Sequence, residues 1–216
     1  MEPVELARSL SSQIVDLLRS EVLTGRLKEG QVLRQRELIR RFGVSGTPVR
    51  EAFIQLTHEG FLEAAPNAGV RVKKPAPDHV QRFLTPLRRA IEVYALELCF
   101  DDLDDSDFLA WNSTLTKLRD ACERRDYPAI AEHEMAFHRS ILKRAADPTL
   151  LGIWSMILAQ VVAAFRASYI KYEDPVDIYR EHAEIVATFR TGDKGASIKL
   201  YSEMIGGPIP LPPDRN

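Results

Sequence analysis

Apolar residues recur at helical spacing through the first sixty positions of the chain. Residues 9–23 carry such a stripe, which predicts a helix that supports the elements after it. A short second helix is predicted to end at Gly43. A third is predicted to begin with Thr47 as its N-cap and Pro48 as its first residue, where the missing proline N–H costs nothing. Its apolar stripe, at positions i, i+3, i+4 and i+7, consists of Val49, Ala52, Phe53 and Leu56.

A pair of short strands is predicted to follow the third helix. This helix ends at Gly60, and the short apolar runs at 61–65 and 70–74 flank a turn at 66–69. Two helices joined by a tight turn can place the second in a DNA major groove, with its N-terminal end toward the bases. The pattern therefore predicts a winged helix-turn-helix DNA-binding domain over residues 1–74.

Helical spacing alone organises the chain from His79 onward. Asp, Pro and Gly residues separate the apolar segments, and no alternation typical of strands appears. The predicted helices cover residues 79–103, 105–125, 128–145, 148–172, 176–191 and 194–205. The fold class is therefore predicted to be mainly α, with an N-terminal winged helix-turn-helix domain and a C-terminal all-α six-helix bundle over residues 79–206.

Proline and glycine mark the two remaining segments. Two prolines fall between Lys74 and Asp78, where they cannot continue a strand ladder, so residues 75–78 are predicted to link the two domains. Residues 207–216 are rich in proline and glycine and are predicted to form an irregular tail.

Charge is distributed unevenly between the two predicted domains. Residues 1–74 contain 12 Lys and Arg against 9 Asp and Glu, whereas the rest of the chain contains 17 against 22. The net charge of −2 therefore conceals a basic first domain and an acidic second one. A basic face supplies a sequence-independent attraction to phosphate. The alternative is that the charged helix face is merely solvated. Because the basic residues coincide with the helix-turn-helix pattern, this alternative is the weaker one.

Composition excludes several classes of protein. No apolar run approaches the length of a membrane span, and the first residues lack the basic and hydrophobic pattern of a secretory signal, so a cytoplasmic protein without membrane contact is expected. The two cysteines, Cys99 and Cys122, lack the spacing of a metal knuckle or a disulfide framework. We expect both to be small core-filling thiols.

The first domain contains a long, ordered set of motif residues. They are Gly25–Gly30, Glu37, Leu38, Phe42–Ser45, Thr47–Ala52, Leu56, Glu59, Gly60 and Gly69. With these residues in this order, the domain resembles the GntR family of bacterial transcription regulators. The resemblance implies that Arg36 and Arg50 read bases and that Ser45 and Thr47 contact phosphates. With Arg34 and Arg71 added, the full predicted DNA-binding set is Arg34, Arg36, Ser45, Thr47, Arg50, Asn67, Gly69 and Arg71, of which Asn67 and Gly69 belong to the tip of the wing.

The chain departs from the family pattern at two positions of this domain. Gly46 and Ala68 stand where the family usually has arginine. Each missing guanidinium removes a potential bidentate contact, worth about 1–3 kcal/mol of base discrimination. Arg34 and Arg71 are candidates to replace these contacts. We therefore expect an operator that differs from the usual one, or weaker binding.

Four ionisable residues fall on apolar stripes of the predicted bundle. Glu134 and His138 lie one turn apart on the apolar face of 128–145, and His182 lies within the stripe of 176–191. Arg88 lies within the stripe of the first bundle helix, which consists of Leu84, Leu87, Ile91, Ala95 and Leu98. Unpaired ionisable groups in an interior cost several kcal/mol, so these four residues predict a polar pocket.

The guanidinium of Arg88 suits an acidic ligand, because its planar fork matches a carboxylate. A structural ion pair with Glu92, one turn on, is the alternative. Arg166 and Tyr169 are weaker candidates for the same pocket, chosen for their chemistry and not for their position.

Three segments of the bundle carry a second resemblance. They are Arg88-x-x-Ile91-Glu92, Glu134-x-x-Phe137-His138 and Glu181-His182-x-x-Ile185-Val186. With them, the second domain resembles the FCD domain of the FadR-type branch of GntR regulators. The resemblance implies a small carboxylate effector in the bundle. In many members of that branch the effector lies beside a divalent metal (Zn, Ni or Mn) that one Asp and three His hold.

Carried over by position, the metal ligands are Glu134, His138 and His182, and Met204 stands where the third His is expected. A thioether is a poor ligand for zinc, nickel or manganese. One carboxylate and two imidazoles still bind zinc when water completes the shell. A metal-free cluster, in which the three residues hydrogen-bond to one another or to the effector, stays open.

Taken together, the sequence predicts a homodimeric repressor that a small carboxylate metabolite releases from double-stranded operator DNA. A dimer is expected because one recognition helix reads too few bases to specify a genomic site. Two alternatives stay open. One is an architectural DNA-binding dimer without an effector. The other is a metal-dependent hydrolase, which is disfavoured because no general base or nucleophile can be singled out beside the three ligands.

Overall fold

Backbone contacts divide the chain into two units, Met1–Pro75 and Ala76–Asn216. The structure is a computed structural model that describes residues 9–66, 69–169 and 172–205. Of residue 78 and residues 162–168 it describes the backbone alone. The predicted tail at 207–216 and the wing positions Asn67 and Ala68 lie outside the described residues.

The first unit combines three helices with a small antiparallel sheet. Its elements are α1 Leu10–Leu23, β1 Val32–Leu33, α2 Gln35–Phe42, α3 Gly46–His58, β2 Leu62–Ala65 and β3 Gly69–Val72. The strand order is β1-β3-β2, with Val32 opposite Arg71 and Leu62 opposite Val72. The apolar stripe of α3 lies in the core, where Val49, Ala52 and Leu56 are fully buried. Packing of this stripe fixes the helix that presents the candidate DNA-binding residues.

Two details of this unit differ from the prediction. Ser45, and not Thr47, is the N-cap of α3, so the helix begins at Gly46 and Pro48 lies within the first turn. Proline is tolerated there because the first N–H groups of a helix have no intrahelical partner. The strand β1 was not predicted, since two residues are too few to show an alternation.

Over its described residues the second unit is a bundle of six α-helices, which confirms the predicted fold class. The helices are α4 Asp78–Cys99, α5 Asp105–Glu123, α6 Tyr127–Arg144, α7 Pro148–Ser168, α8 Val176–Arg190 and α9 Lys194–Met204. The side chains of four aspartates accept N–H groups at helix starts: Asp104, Asp126, Asp147 and Asp193. Such N-caps satisfy donors that a helix start leaves unpaired. None of the described helices is long and apolar enough to cross a membrane.

The inward face of α4 agrees only in part with the one that the sequence predicted. Leu87 and Leu98 were placed in the interior stripe, but they are 41% and 46% exposed. Arg88, which the sequence placed inward, is fully buried, and so is Glu92. Because these two residues pair with each other, α4 can turn charged groups inward and leave part of its apolar stripe outside the core.

Candidate functional site

The helix-turn-helix presents its candidate residues to solvent. Gly43 ends α2 in the left-handed conformation, with φ of 64°, which glycine adopts without steric cost. The chain then turns at Val44 and enters α3. All the described members of the predicted DNA-binding set are exposed: Arg34, Arg36, Ser45, Thr47, Arg50, Gly69 and Arg71. Their exposure allows contact with a duplex, and their roles stay predictions.

Two ion pairs fix the frame behind this surface. Arg19 of α1 is 3% exposed and binds Glu59, at the end of α3, through Nε at 2.9 Å and Nη2 at 2.8 Å. Arg41 of α2 pairs with the buried carboxylate of Glu21, and its Nη1 lies 2.9 Å from Oε2. Both arginines therefore hold the helices together, although Arg41 belongs to the basic run that the sequence assigned to DNA attraction.

The exposed arginines divide into paired and unpaired groups. Two of them hold exposed ion pairs, Arg34 with Glu37 at 3.2 Å and Arg71 with Glu63 at 2.7 Å. Over the described residues, the guanidinium groups of Arg36 and Arg50 have no ion pair. An arginine without a competing carboxylate can donate both of its parallel N–H groups to a guanine. The exposure of Arg36 and Arg50 is therefore compatible with base reading, which stays a prediction.

Gly46 lies against the side chain of Gln35. The Gln35 side chain donates from Nε2 to the Gly46 carbonyl oxygen at 2.9 Å, which ties the start of α3 to α2. A Cβ at position 46 would lie 2.9 Å from the same nitrogen. An arginine there would displace this amide, so the missing guanidinium and the Gln35 contact occur together.

The bundle brings three of the predicted pocket residues together. Glu134 and His138 of α6 and His182 of α8 are buried, and each offers one ligand atom within 4.8 Å of the others. The Nε2 atoms of the two histidines are 3.4 Å apart. Two imidazole nitrogens on one tetrahedral zinc, each at 2.0–2.1 Å, are separated by about 3.4 Å. The residues present therefore fit a divalent metal.

The orientation of His182 supports this fit. Its Nδ1 lies 2.8 Å from the carbonyl oxygen of Ile178, which can only accept, so the proton is on Nδ1 and the lone pair is on Nε2. Burial lowers the pKa of His182 to about 4, against the opposing effect of Glu134. The imidazole is therefore neutral over the physiological range, as a metal ligand must be.

Other predicted pocket residues have different surroundings. The hydroxyl of Tyr169 donates to Glu134 at 2.5 Å, which places this weaker candidate at the site. Arg88 forms an ion pair with Glu92, the alternative that the sequence left open. Met204 is partly buried and packs against the apolar core. The side chain of Arg166 lies outside the described residues.

Three further residues at the site were not predicted as part of the pocket. Glu92 is fully buried and lies 2.9 Å from His138 Nδ1, and its carboxylate also accepts from Trp154 and Tyr201. Burial raises the pKa of Glu92, but Arg88, His138 and Trp154 together lower it to about 2. The spacing of one helical turn between Arg88 and Glu92 predicted that these two residues could pair. The contacts with Trp154 and Tyr201 depend on how α7 and α9 pack, which no local pattern shows.

Comparisons with known proteins cover both units. Residues 10–72 match the family described as bacterial regulatory proteins, gntR family, and residues 84–206 match the FCD domain. The chain is 29% identical over 187 residues to a probable D-xylose utilization operon transcriptional repressor of Paenarthrobacter nicotinovorans, covering 86% of this chain and 80% of that protein. It is 27% identical over 190 residues to the HTH-type transcriptional repressor RspR of Escherichia coli, covering 87% and 82%. The solved structure of E. coli McbR/YncC has the same fold, with a TM-score of 0.75 at 23% identity, over 92% of this chain and 94% of that one.

Proposed function

This chain belongs to the GntR family of bacterial transcription regulators and carries an FCD domain. We propose that a small carboxylate bound in the bundle controls the affinity of the protein for operator DNA. The chain is a DNA-binding transcription regulator, like its relatives, and not an enzyme, so the hydrolase alternative is wrong. It acts in the cytoplasm, where bacterial operators are. The observation that carries the proposal is the convergence of Glu134, His138 and His182 at one buried point.

The proposed site uses these three residues to hold a divalent metal, with zinc as the best fit to one carboxylate and two imidazoles. A bound divalent ion would supply positive charge and open coordination positions for the carboxylate of the effector. The hydrogen bond to the carbonyl oxygen of Ile178 orients His182, and the hydrogen bond from the Tyr169 hydroxyl orients Glu134. Arg88 stays a predicted effector contact, with its Nε engaged by Glu92.

Control of DNA binding needs an effector that prefers one state of the protein. A ligand with equal affinity for the DNA-competent and incompetent states shifts nothing, however tightly it binds. We propose that the effector prefers the incompetent state, so that it relieves repression. The linker around residues 75–78 would carry this preference to the first unit, because it joins the two along the chain.

Zinc and a carboxylate should each stabilise the full-length protein after chelator treatment. We expect a panel of small aliphatic carboxylates, each paired with its neutral amide, to raise Tm only with the acid and most strongly after zinc is added. At a hundredfold excess over Kd, binding contributes about 2.7 kcal/mol, or roughly 5–10 °C for a chain of this length. Thermal unfolding followed by circular dichroism measures the shift, and elemental analysis counts the zinc.

The control for this experiment lies on α6, next to Glu134. His182→Ala should abolish both shifts, whereas His133→Ala, beside Glu134 but outside the ligand group, should keep them. A wild-type protein that no carboxylate stabilises would favour the architectural dimer. A His182→Ala protein that responds like wild type would place the effector elsewhere.

The outer face of α4 supports a homodimer. Its large apolar residues follow one line along the helix and are exposed: Phe83 at 65%, Leu87 at 41%, Tyr94 at 51% and Leu98 at 46%. Such a stripe on a soluble protein marks an interaction surface. We propose a second copy as its occupant, because a pseudo-palindromic operator requires two recognition helices related by a twofold axis.

Leu87→Asp should convert the dimer into a monomer. A carboxylate at the centre of the apolar stripe would be buried without a partner, which costs several kcal/mol at each of the two copies. The molar mass from light scattering after gel filtration should fall from that of two chains to that of one chain, 24.4 kDa. Leu109→Asp is the matched control, because Leu109 is 73% exposed on α5 and should leave the mass unchanged. A dimer that survives Leu87→Asp would exclude this face.

A further inference from the structure

Glu92 occupies the centre of a buried set of donors. Its Oε1 accepts from Arg88 Nε and from Trp154 Nε1, the latter at 2.5 Å. Its Oε2 lies 2.9 Å from His138 Nδ1 and 3.2 Å from the Tyr201 hydroxyl. A carboxylate offers about four lone-pair positions, and these four groups account for all of them. The side chain itself is fully buried.

This arrangement decides which nitrogen of His138 carries the proton. The ion pair with Arg88 keeps Glu92 as a carboxylate, which can only accept. An Nδ1 lone pair facing that carboxylate at 2.9 Å would be repelled, so Nδ1 must carry a proton. The Tyr201 hydroxyl, 3.0 Å from the same nitrogen, has one hydrogen, and Glu92 accepts it.

In the neutral imidazole, the proton on Nδ1 leaves a lone pair on His138 Nε2. That atom lies 3.4 Å from His182 Nε2, whose own lone pair is free because Ile178 holds the Nδ1 proton. Two lone pairs then face each other beside the Glu134 carboxylate, with no proton between them. Such a group of acceptors attracts a cation.

We infer that Glu92 is a positioning residue that sets the tautomer of His138 and so prepares the metal site. It acts through His138 and does not reach the metal position itself. Carboxylates behind metal-binding histidines play this part in many proteins, and their loss typically weakens metal affinity by 10- to 100-fold. The inference rests on the proposed metal site, but its first consequence, the tautomer, exists without any metal.

Long-range ¹H–¹⁵N spectra of the full-length, chelator-treated protein at pH 8 report that tautomer directly. The chain has five histidines, and His138→Ala assigns the signal. We expect His138 to carry its proton on Nδ1 in wild type and to show a mixture of both tautomers in Glu92→Gln, since an amide can also donate. Zinc titration against a competing chelator should then show about 10- to 100-fold weaker binding by Glu92→Gln.

Trp154→Phe provides the matched control. It removes a buried hydrogen bond to the same carboxylate but leaves the His138 contact, so it should keep the wild-type tautomer. Wild-type His138 with a proton on Nε2 would overturn the inference even if Glu92→Gln fails to fold. An unchanged tautomer in folded Glu92→Gln would overturn it as well. A wild type that has the Nδ1 proton but binds no zinc would refute the proposed metal and leave the tautomer assignment supported.

Discussion

Arg50→Ala is expected to lower operator affinity by at least about 30-fold while leaving the fold and the dimer intact. One bidentate arginine–guanine contact is worth about 1–3 kcal/mol, and a dimer on a pseudo-palindrome loses two of them. The side chain is exposed at the start of α3 and has no ion pair among the described residues, so its removal should not disturb the protein. Affinity for unrelated duplexes should fall much less, because phosphate contacts supply it.

Fluorescence anisotropy on an operator obtained by genomic footprinting measures this loss at fixed salt. Arg119→Ala is the matched control, since it removes the same charge from an exposed position on α5. Equal operator affinity of wild type and Arg50→Ala would refute the role of Arg50 as a base reader. An equal loss on operator and random DNA would reassign the residue to the phosphate backbone.

Arg88→Ala is expected to destabilise the bundle by about 3–5 kcal/mol, because it leaves the carboxylate of Glu92 buried without its charged partner. The chain contains its own comparison. Arg119 and Glu123 have the same i, i+4 spacing on α5 but are 49% and 58% exposed, with 3.7 Å between them. An exposed pair of this kind contributes about 0.3–0.5 kcal/mol. Arg119→Ala should therefore change the stability very little.

Urea unfolding of both variants, followed by circular dichroism at pH 7, measures the difference. The buried pair also predicts a pH dependence. The pKa of Glu92 is lowered to about 2 from 4.5, so the ionised form stabilises the folded state above pH 4.5, and this contribution is lost as the pH falls toward 2. The difference in the free energy of unfolding between wild type and Arg88→Ala should become smaller over that range. Equal stability of the two at pH 7 would show that the pair does not support the bundle.

The sequence was sufficient for most of the fold because local chemistry decides it. Three kinds of feature can be recognised without a structure: the left-handed glycine at position 43, the proline in the first turn of α3 and the aspartates at helix starts. The pocket residues Glu134, His138 and His182 were also legible, because each is a polar residue within an apolar stripe. Their proximity is a matter of tertiary packing, which placed all three at one point.

The errors have a common physical origin. The prediction for α4 assumed that apolar residues point inward, but a buried ion pair can take the inward positions when its two members satisfy each other. Leu87 and Leu98 were misplaced for this reason. Trp154 and Tyr201 were missed because their polar atoms reach the site through Glu92, which lies more than sixty residues away from either along the chain. Interactions at that sequence distance leave no periodic signal.

The bidentate contact between Arg19 and Glu59 has a practical consequence for measurements in concentrated electrolyte. Both side chains are largely withdrawn from solvent, at 3% and 13% exposure, so mobile ions screen this contact far less than they screen contacts with a duplex. Titrating potassium chloride should therefore detach the protein from nucleic acid well before it loosens α1 from α3. The slope of DNA affinity against salt concentration then reports the number of displaced counterions and not a loosening of α3.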